Sequence, residues 1–117
     1  MELAPESRLI SEAIAASSER ARWKRIAALH ERGTREAFDA AVVLASSRFS
    51  DERRLGADVL GQLGFRDAYP FKAESEPILR RLVDRERDPE VLAAALLAVG
   101  QLGLWEVPEA SDRLVTN

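Results

Sequence analysis

The feature that most constrains the fold of this chain is a short sequence motif that occurs twice. The four residues Gly-Gln-Leu-Gly stand at 61–64 and again at 100–103, an offset of 39 positions. The same offset aligns Gly56 with Ala95, so small residues recur as well. A period of about 40 residues is typical of chains built from stacked copies of one helical unit. Because such a unit buries its apolar face only against a copy of itself, the sequence predicts an array of helical repeats.

The spacing of apolar and capping residues predicts six helices and no strands. Ala, Leu, Arg and Glu, which favour helices, recur along the chain, and no stretch alternates like a half-buried strand. Gly33, Thr34 and Asp88 mark helix ends, since glycine follows helices and threonine or aspartate caps them. The predicted helices run from Pro5 to Ala16, Ser18 to Arg32, Thr34 to Ser46, Ser50 to Gly64, Ser75 and Pro77 to Arg85, and Asp88 to Gly103.

The length of 117 residues suits one small domain. We expect N-terminal capping helices at 1–33, a first repeat at 34–64, a second repeat at 74–103, and a tail or the start of a third repeat at 104–117. An alternative is that the chain is a piece of a longer array, because it ends where a third repeat should begin.

The second copy of the unit resembles the second helix of a HEAT repeat, including the bilin-lyase-type HEAT-like subgroup. The resemblance lies in an Asp-Pro-x-Val start at 88–91, small residues at Ala95 and Ala98, and glycines at 100 and 103. The first copy matches less well because it lacks the Asp-Pro start. The resemblance implies an all-α fold, a short right-handed α-α superhelix (a HEAT-like solenoid) of about six helices, which presents surfaces to other molecules.

Composition and charge restrict the possible functions. The chain has no cysteine, which excludes disulfides, thiolate catalysis and cysteine metal sites. The net charge of −3 argues against a dedicated nucleic-acid binder, which usually carries a basic excess. No stretch approaches the roughly 20 apolar residues of a membrane span. We expect a soluble, cytoplasmic protein without a membrane partner.

No pattern of residues points to catalysis. His30 is the only histidine and has no second histidine to make a metal pair, so we expect it to be structural. Neither a paired-carboxylate pattern nor a glycine-rich phosphate loop is present. We therefore predict no catalytic, metal or cofactor-binding residues and no cofactor.

Three polar or aromatic segments are candidates for binding. The basic residues Arg20, Arg22, Lys24 and Arg25 surround Trp23 and could touch nucleic-acid phosphates, although the solvated face of a terminal helix is the interpretation we prefer. Residues 81–88 alternate in charge and predict a solvated turn with local ion pairs. The aromatics Phe65, Tyr69 and Phe71 either cover the open edge of the array or form a recognition loop.

The sixth predicted helix lacks charges that the fourth one has. The offset aligns Arg53, Arg54 and Asp58 with Leu92, Ala93 and Leu97. We expect Arg54, Asp58 and Gly61 on the solvent side of the fourth helix. The sixth helix would then be apolar nearly all round and would need a cover. The predicted protein-binding residues are Arg54, Asp58, Leu92, Leu97 and Gln101.

These features predict a non-catalytic scaffold or adaptor for protein–protein interaction. The partner would be another protein, or a second copy bound through the C-terminal helix as a homodimer. One alternative is a nucleic-acid-binding HEAT-like module that uses the basic N-terminal helix, although nucleic acid is not the partner we expect. The other is a bilin-lyase-like chaperone or a fragment of a longer HEAT array.

Overall fold

The computed structural model describes residues 5–63 and 71–103. Every regular element within these ranges is an α-helix, so the all-α prediction is confirmed. The six helices are α1 (Pro5–Ala15), α2 (Glu19–Arg32), α3 (Arg35–Ala45), α4 (Ser50–Leu63), α5 (Lys72–Arg85) and α6 (Pro89–Gln101). The predicted ends at Gly64 and in the 104–117 tail lie outside the described residues.

Most of the predicted helix boundaries follow from local capping. The Thr34 hydroxyl accepts the Ala37 amide at 3.1 Å and starts α3. Asp88 Oδ1 accepts the amides of Glu90 and Val91 at 2.9 and 3.2 Å and starts α6. Gly33 ends α2 in the left-handed conformation with φ of 54°, which glycine adopts without strain. These three signals were correctly predicted from the sequence.

The predicted cap at Ser50 is wrong, because Ser50 is already the first residue of α4. Ser47 supplies the side-chain contacts before this helix. Its hydroxyl accepts the Phe49 amide at 3.1 Å and donates to Glu52 Oε1 at 2.6 Å. A serine three residues upstream therefore organises the turn between α3 and α4.

Helix α5 begins earlier than predicted, at Lys72 rather than near Ser75, so Pro77 lies inside it. The cause is a tertiary contact. The Phe71 ring stacks on Phe38 with centroids 4.8 Å apart, and the Phe71 carbonyl accepts the Ser75 amide at 2.8 Å. Anchoring the chain at Phe71 starts the helix one turn before the local signal. Pro77 is the sixth residue of α5, so it removes one backbone hydrogen bond from the helix interior.

Helix α4 is the centre of the packing. It lies against α2, α3 and α6, whereas α5 packs on α6 and α1 on α2. The helices α3 and α5 touch each other at few positions. Eight residues of α4 are buried: Leu55, Gly56, Ala57, Asp58, Val59, Leu60, Gly61 and Leu63. The space around α4 is therefore densely packed, whereas the space between α3 and α5 is open on one side.

Small residues bring α4 close to its neighbours, as predicted. A Cβ on Gly56 would lie 2.6 Å from the Ala45 backbone nitrogen, so α3 and α4 approach closely there. A Cβ on Gly61 would lie 2.9 Å from Ala98 Cα, and Ala98 is fully buried. Ala95, at the position equivalent to Gly56, is also fully buried. The repeated small residues are therefore interhelical contact points.

Candidate functional site: a basic groove between α3 and α5

A groove of about 630 Å³ opens where α3 and α5 diverge. Its walls are the end of α3, one face of α5 and the turn into α6, with one side chain from α4. The lining residues are Val42, Ala45, Ser46, Arg53, Pro77, Ile78, Arg81, Leu82, Arg85, Glu86 and Arg87. The sparse contact between α3 and α5 is the reason that this space is not filled.

The groove combines apolar and cationic side chains. Val42 and Ala45 on α3, with Ile78 and Leu82 on α5, are buried or half-buried and supply the apolar part. The three arginines at 81, 85 and 87 are exposed and lie along the same opening. None of the three is in an ion pair within the parts of the chain that the structure describes. The groove therefore offers uncompensated positive charge beside an apolar surface.

The fourth arginine of the groove is neutralised by Glu86. Arg53 donates two hydrogen bonds to this carboxylate, one from Nε at 2.7 Å and one from Nη2 at 3.0 Å. Glu86 Oε1 also accepts the amides of Arg87 and Asp88 at 3.2 and 3.1 Å. These hydrogen bonds, with Arg53 first, lower the pKa of Glu86. The turn that forms one edge of the groove is thereby fixed to α4.

The prediction that residues 81–88 form a solvated turn is wrong in two respects, because residues 81–85 belong to α5 and Glu86 is buried. Its side chain is only 6% exposed, because it reaches inward to Arg53 instead of pairing locally. Sequence reasoning therefore missed both the buried carboxylate and the groove beside it. The one available signal was spacing: Ile78 and Leu82 are one helical turn apart, and so are Arg81 and Arg85.

Two of the predicted protein-binding residues lie against the N-terminal helices. Asp58 is 4% exposed, so the prediction that it lies on the solvent side of α4 is wrong. Arg54 is half-buried and forms two hydrogen bonds of 3.0 Å with the Glu19 carboxylate. Gly61, expected on the same solvent side, is buried against Ala98. The reason is that α2 and α6 pack on the faces of α4 that were expected to be free.

Asp58 meets Arg22, one of the predicted nucleic-acid-binding residues. Arg22 Nη2 lies 2.7 Å from Asp58 Oδ2, and the Arg22 side chain is 11% exposed. The contact is an ion pair without well-directed hydrogen bonds, since these buried atoms find no such partner among the residues described. Burial raises the pKa of Asp58, and the ion pair with Arg22 opposes that rise.

The remaining basic residues of α2 do not form one free surface. Arg25 lies 3.5 Å from the Glu12 carboxylate of α1, and Arg22 forms an ion pair with Asp58. Arg20 and Lys24 are exposed. The structure thus leaves two of the four predicted nucleic-acid-binding side chains open to a ligand.

The three predicted residues on α6 have three different environments. Leu92 is 6% exposed and belongs to the core of the chain, because α6 packs on both α4 and α5. Leu97 is 54% exposed, and Gln101 is half-buried with its amide oxygen against Gly61. The expectation that α6 leaves Leu92 in need of a separate cover is wrong, whereas Leu97 does face outward.

His30 and Phe71 make internal contacts. His30 Nδ1 is hydrogen-bonded to the Gln62 carbonyl oxygen and links α2 to the end of α4, as expected for a structural residue. Phe71 stacks on Phe38, and the Arg35 guanidinium lies 5.1 Å from the Phe38 ring centre. Phe71 therefore covers an edge of the helices. The other two aromatics of that segment, Phe65 and Tyr69, lie outside the described residues.

Comparison with known proteins adds no functional assignment. No protein-family model and no curated protein sequence matches this chain. Within 5–63 and 71–103, no three His, Cys, Asp or Glu side chains come together as a metal site. In the same ranges, no helix is long and apolar enough to cross a membrane. The groove between α3 and α5 is therefore the site on which a functional argument rests.

Proposed function

We propose that this protein is a non-catalytic protein-binding module of HEAT-like helical repeats, and that it binds its partner in the groove between α3 and α5. The observation that carries the proposal is the presence in one groove of an apolar surface and three uncompensated arginines. Protein-binding sites characteristically combine buried apolar anchors with arginine. This location replaces the surface expected from Asp58 and Leu92, both of which are buried.

The spacing of the helices supports the repeat part of the proposal. Helix α4 begins at Ser50 and α6 at Pro89, so the two starts are 39 residues apart, as are the two Gly-Gln-Leu-Gly motifs. Each is preceded by another helix, α3 or α5, at the equivalent position. Two helix pairs of this period are what the resemblance to HEAT repeats implies. The same binding role would serve a longer array.

The shape of the groove favours a segment of another protein over a small molecule. Its volume of about 630 Å³ falls within the range of ligand sites, about 300–1,000 Å³, but small molecules are usually enclosed. Here Ser46, Pro77 and the three free arginines are all exposed along the opening. A peptide can lay side chains into such an open groove while its backbone stays in water.

The proposal is tested by photo-crosslinking from the groove. A benzophenone amino acid in place of Ser46, at the rim, should give defined protein adducts in extract of the native host. The same group in place of Ala27, exposed on α2, is the matched control for position. Adducts at 46 should be lost in Arg81→Glu/Arg85→Glu and kept in Arg20→Glu/Lys24→Glu, which changes charge equally. Identical adducts at both positions, or adducts indifferent to the groove arginines, would contradict the proposal.

A further inference from the structure

The groove side of α5 carries two parallel rows of side chains. Ile78 and Leu82 form an apolar row, and Arg81 and Arg85 form a basic row. Within each row the two residues are four positions apart, which places them about 6 Å apart along the helix axis. Both rows reach the same opening. A ligand that matched them would need alternating apolar and anionic groups at the same spacing.

We propose that the groove takes an acidic amphipathic helix of a partner protein, an inference that rests on the proposed function. Leucine-like side chains one turn apart would pack on the apolar row. Carboxylates one turn apart would each meet a guanidinium, a planar donor that binds a carboxylate through two parallel hydrogen bonds. A helix presents both sets on one face because residues at i and i+4 are neighbours.

The charges around the groove support this assignment. Among the residues that the structure describes, four arginines and one carboxylate line the groove, and that carboxylate is already paired with Arg53. Arg87 extends the free positive charge beyond the end of α5, so a third anionic group is accommodated at that end. The apolar part favours a peptide over a nucleic acid, because phosphates alone would leave the partly exposed side chains of Val42 and Ile78 without an apolar contact, whereas Leu82 is only 7% exposed.

The test uses a defined probe, a fluorescein-labelled peptide of Glu-Leu-Ala-Ala repeats about 16 residues long, a length at which isolated helices become stable. A matched peptide replaces every Glu with Gln. The acidic peptide should bind the full chain at least about tenfold more tightly than the Gln peptide. Arg81→Gln and Arg85→Gln should each weaken its binding by about threefold to fivefold, as exposed ion pairs do. Arg20→Gln/Lys24→Gln should leave it unchanged.

Three results would overturn the inference. The first is equal affinity of the acidic and Gln peptides. The second is unchanged affinity in the double variant Arg81→Gln/Arg85→Gln with its helical circular dichroism intact. The third is displacement of the acidic peptide by a single-stranded oligonucleotide that itself needs the same arginines. Adducts formed at position 46 separate the two proposals. If they resist competition by the acidic peptide, the partner chemistry is wrong and the proposed function stands; if no adducts form, both fall.

Discussion

Arg22 and Asp58 form a buried ion pair across the interface of α2 and α4, with Nη2 and Oδ2 2.7 Å apart. The sequence alone predicts a different partner for each residue, nucleic acid for Arg22 and another protein for Asp58. In the folded chain they are partners of each other. Glu19 joins them from the solvent side, since it binds Arg54 and lies 3.9 Å from Arg22. This internal network takes up three of the candidate binding residues, Arg22, Arg54 and Asp58.

Removing either member of this pair should destabilise the protein. We expect Arg22→Met to lower the free energy of unfolding by about 3–5 kcal/mol, because it leaves Asp58 charged and buried without its partner. The double variant Arg22→Met/Asp58→Leu should recover most of that loss, since two apolar side chains replace two buried charges. Urea unfolding of Arg22→Met, Asp58→Leu and the double variant measures the interaction energy between the two side chains. Strictly additive losses would show that the pair contributes no interaction energy.

Replacing Gly56 by alanine should destabilise the protein although alanine favours helices. Within a helix this change alone is favourable by about 1 kcal/mol. At this position, however, the new methyl group would lie 2.6 Å from one backbone atom of α3 and 2.8 Å from another. We expect a net loss of about 1–3 kcal/mol, because α3 and α4 must separate. The measurement is the urea midpoint, and a midpoint at or above wild type would contradict the close approach.

The stability of the fold should fall in acid, partly through Glu86. Its pKa is held below the ordinary value of 4.5, so its contribution is complete above pH 4.5 and is lost as the pH falls through the lower, folded value. Glu86→Gln should cost about 1.5–3 kcal/mol near pH 7, where the charged hydrogen bonds to Arg53 exist. The difference from wild type should shrink as the pH falls below 4.5. Asp58 acts in the opposite direction, since its pKa is raised and folding favours its protonated form.

Urea unfolding at a series of pH values measures this dependence. Glu31→Gln, a change of the same kind on the exposed face of α2, is the control for net charge. A constant difference between Glu86→Gln and wild type at every pH would show that the charge of Glu86 does not stabilise the fold.

Two leucines of α6, Leu92 and Leu97, should respond differently to charge. Leu92→Arg places a cation in the core, where the leucine is 6% exposed, and should cost at least about 3 kcal/mol. Leu97→Glu alters a side chain that is 54% exposed and should stay within about 0.5 kcal/mol of wild type. Thermal unfolding measures both. Sedimentation of wild type and Leu97→Glu across concentrations tests the predicted homodimer: a shared monomeric profile would remove Leu97 from any self-association.

The sequence predicted the helices better than the faces they bury. Thr34, Asp88 and Gly33 act through their own backbone neighbours, so their roles could be inferred from a few adjacent residues. The start of α5 could not, because it depends on Phe71 stacking on Phe38, 33 positions earlier in the chain. The small residues at 56 and 95 were also predictable, since the 39-residue period aligns them.

The candidate site was harder to infer because a periodic pattern does not show which neighbours a helix has. Arg54 and Asp58 have the composition of a solvated face, and only the position of α2 reveals that they are covered. Glu86 likewise stands in a charge-rich turn, and its burial depends on Arg53 of another helix. In each case the local sequence predicts a charged side chain in solvent, whereas in the structure that side chain has a specific partner far away in the sequence.

The sparse contact between α3 and α5 has a mechanical consequence. The two helices are joined at one end by the Phe38–Phe71 stack and the 2.9 Å hydrogen bond between Arg35 and Glu74. Elsewhere α3 packs on α4 and α5 on α6, and α4 meets α6 closely where Gly61 lies against Ala98. We expect a larger side chain at position 61 to separate α4 from α6 and thereby to widen the groove from a position outside its lining.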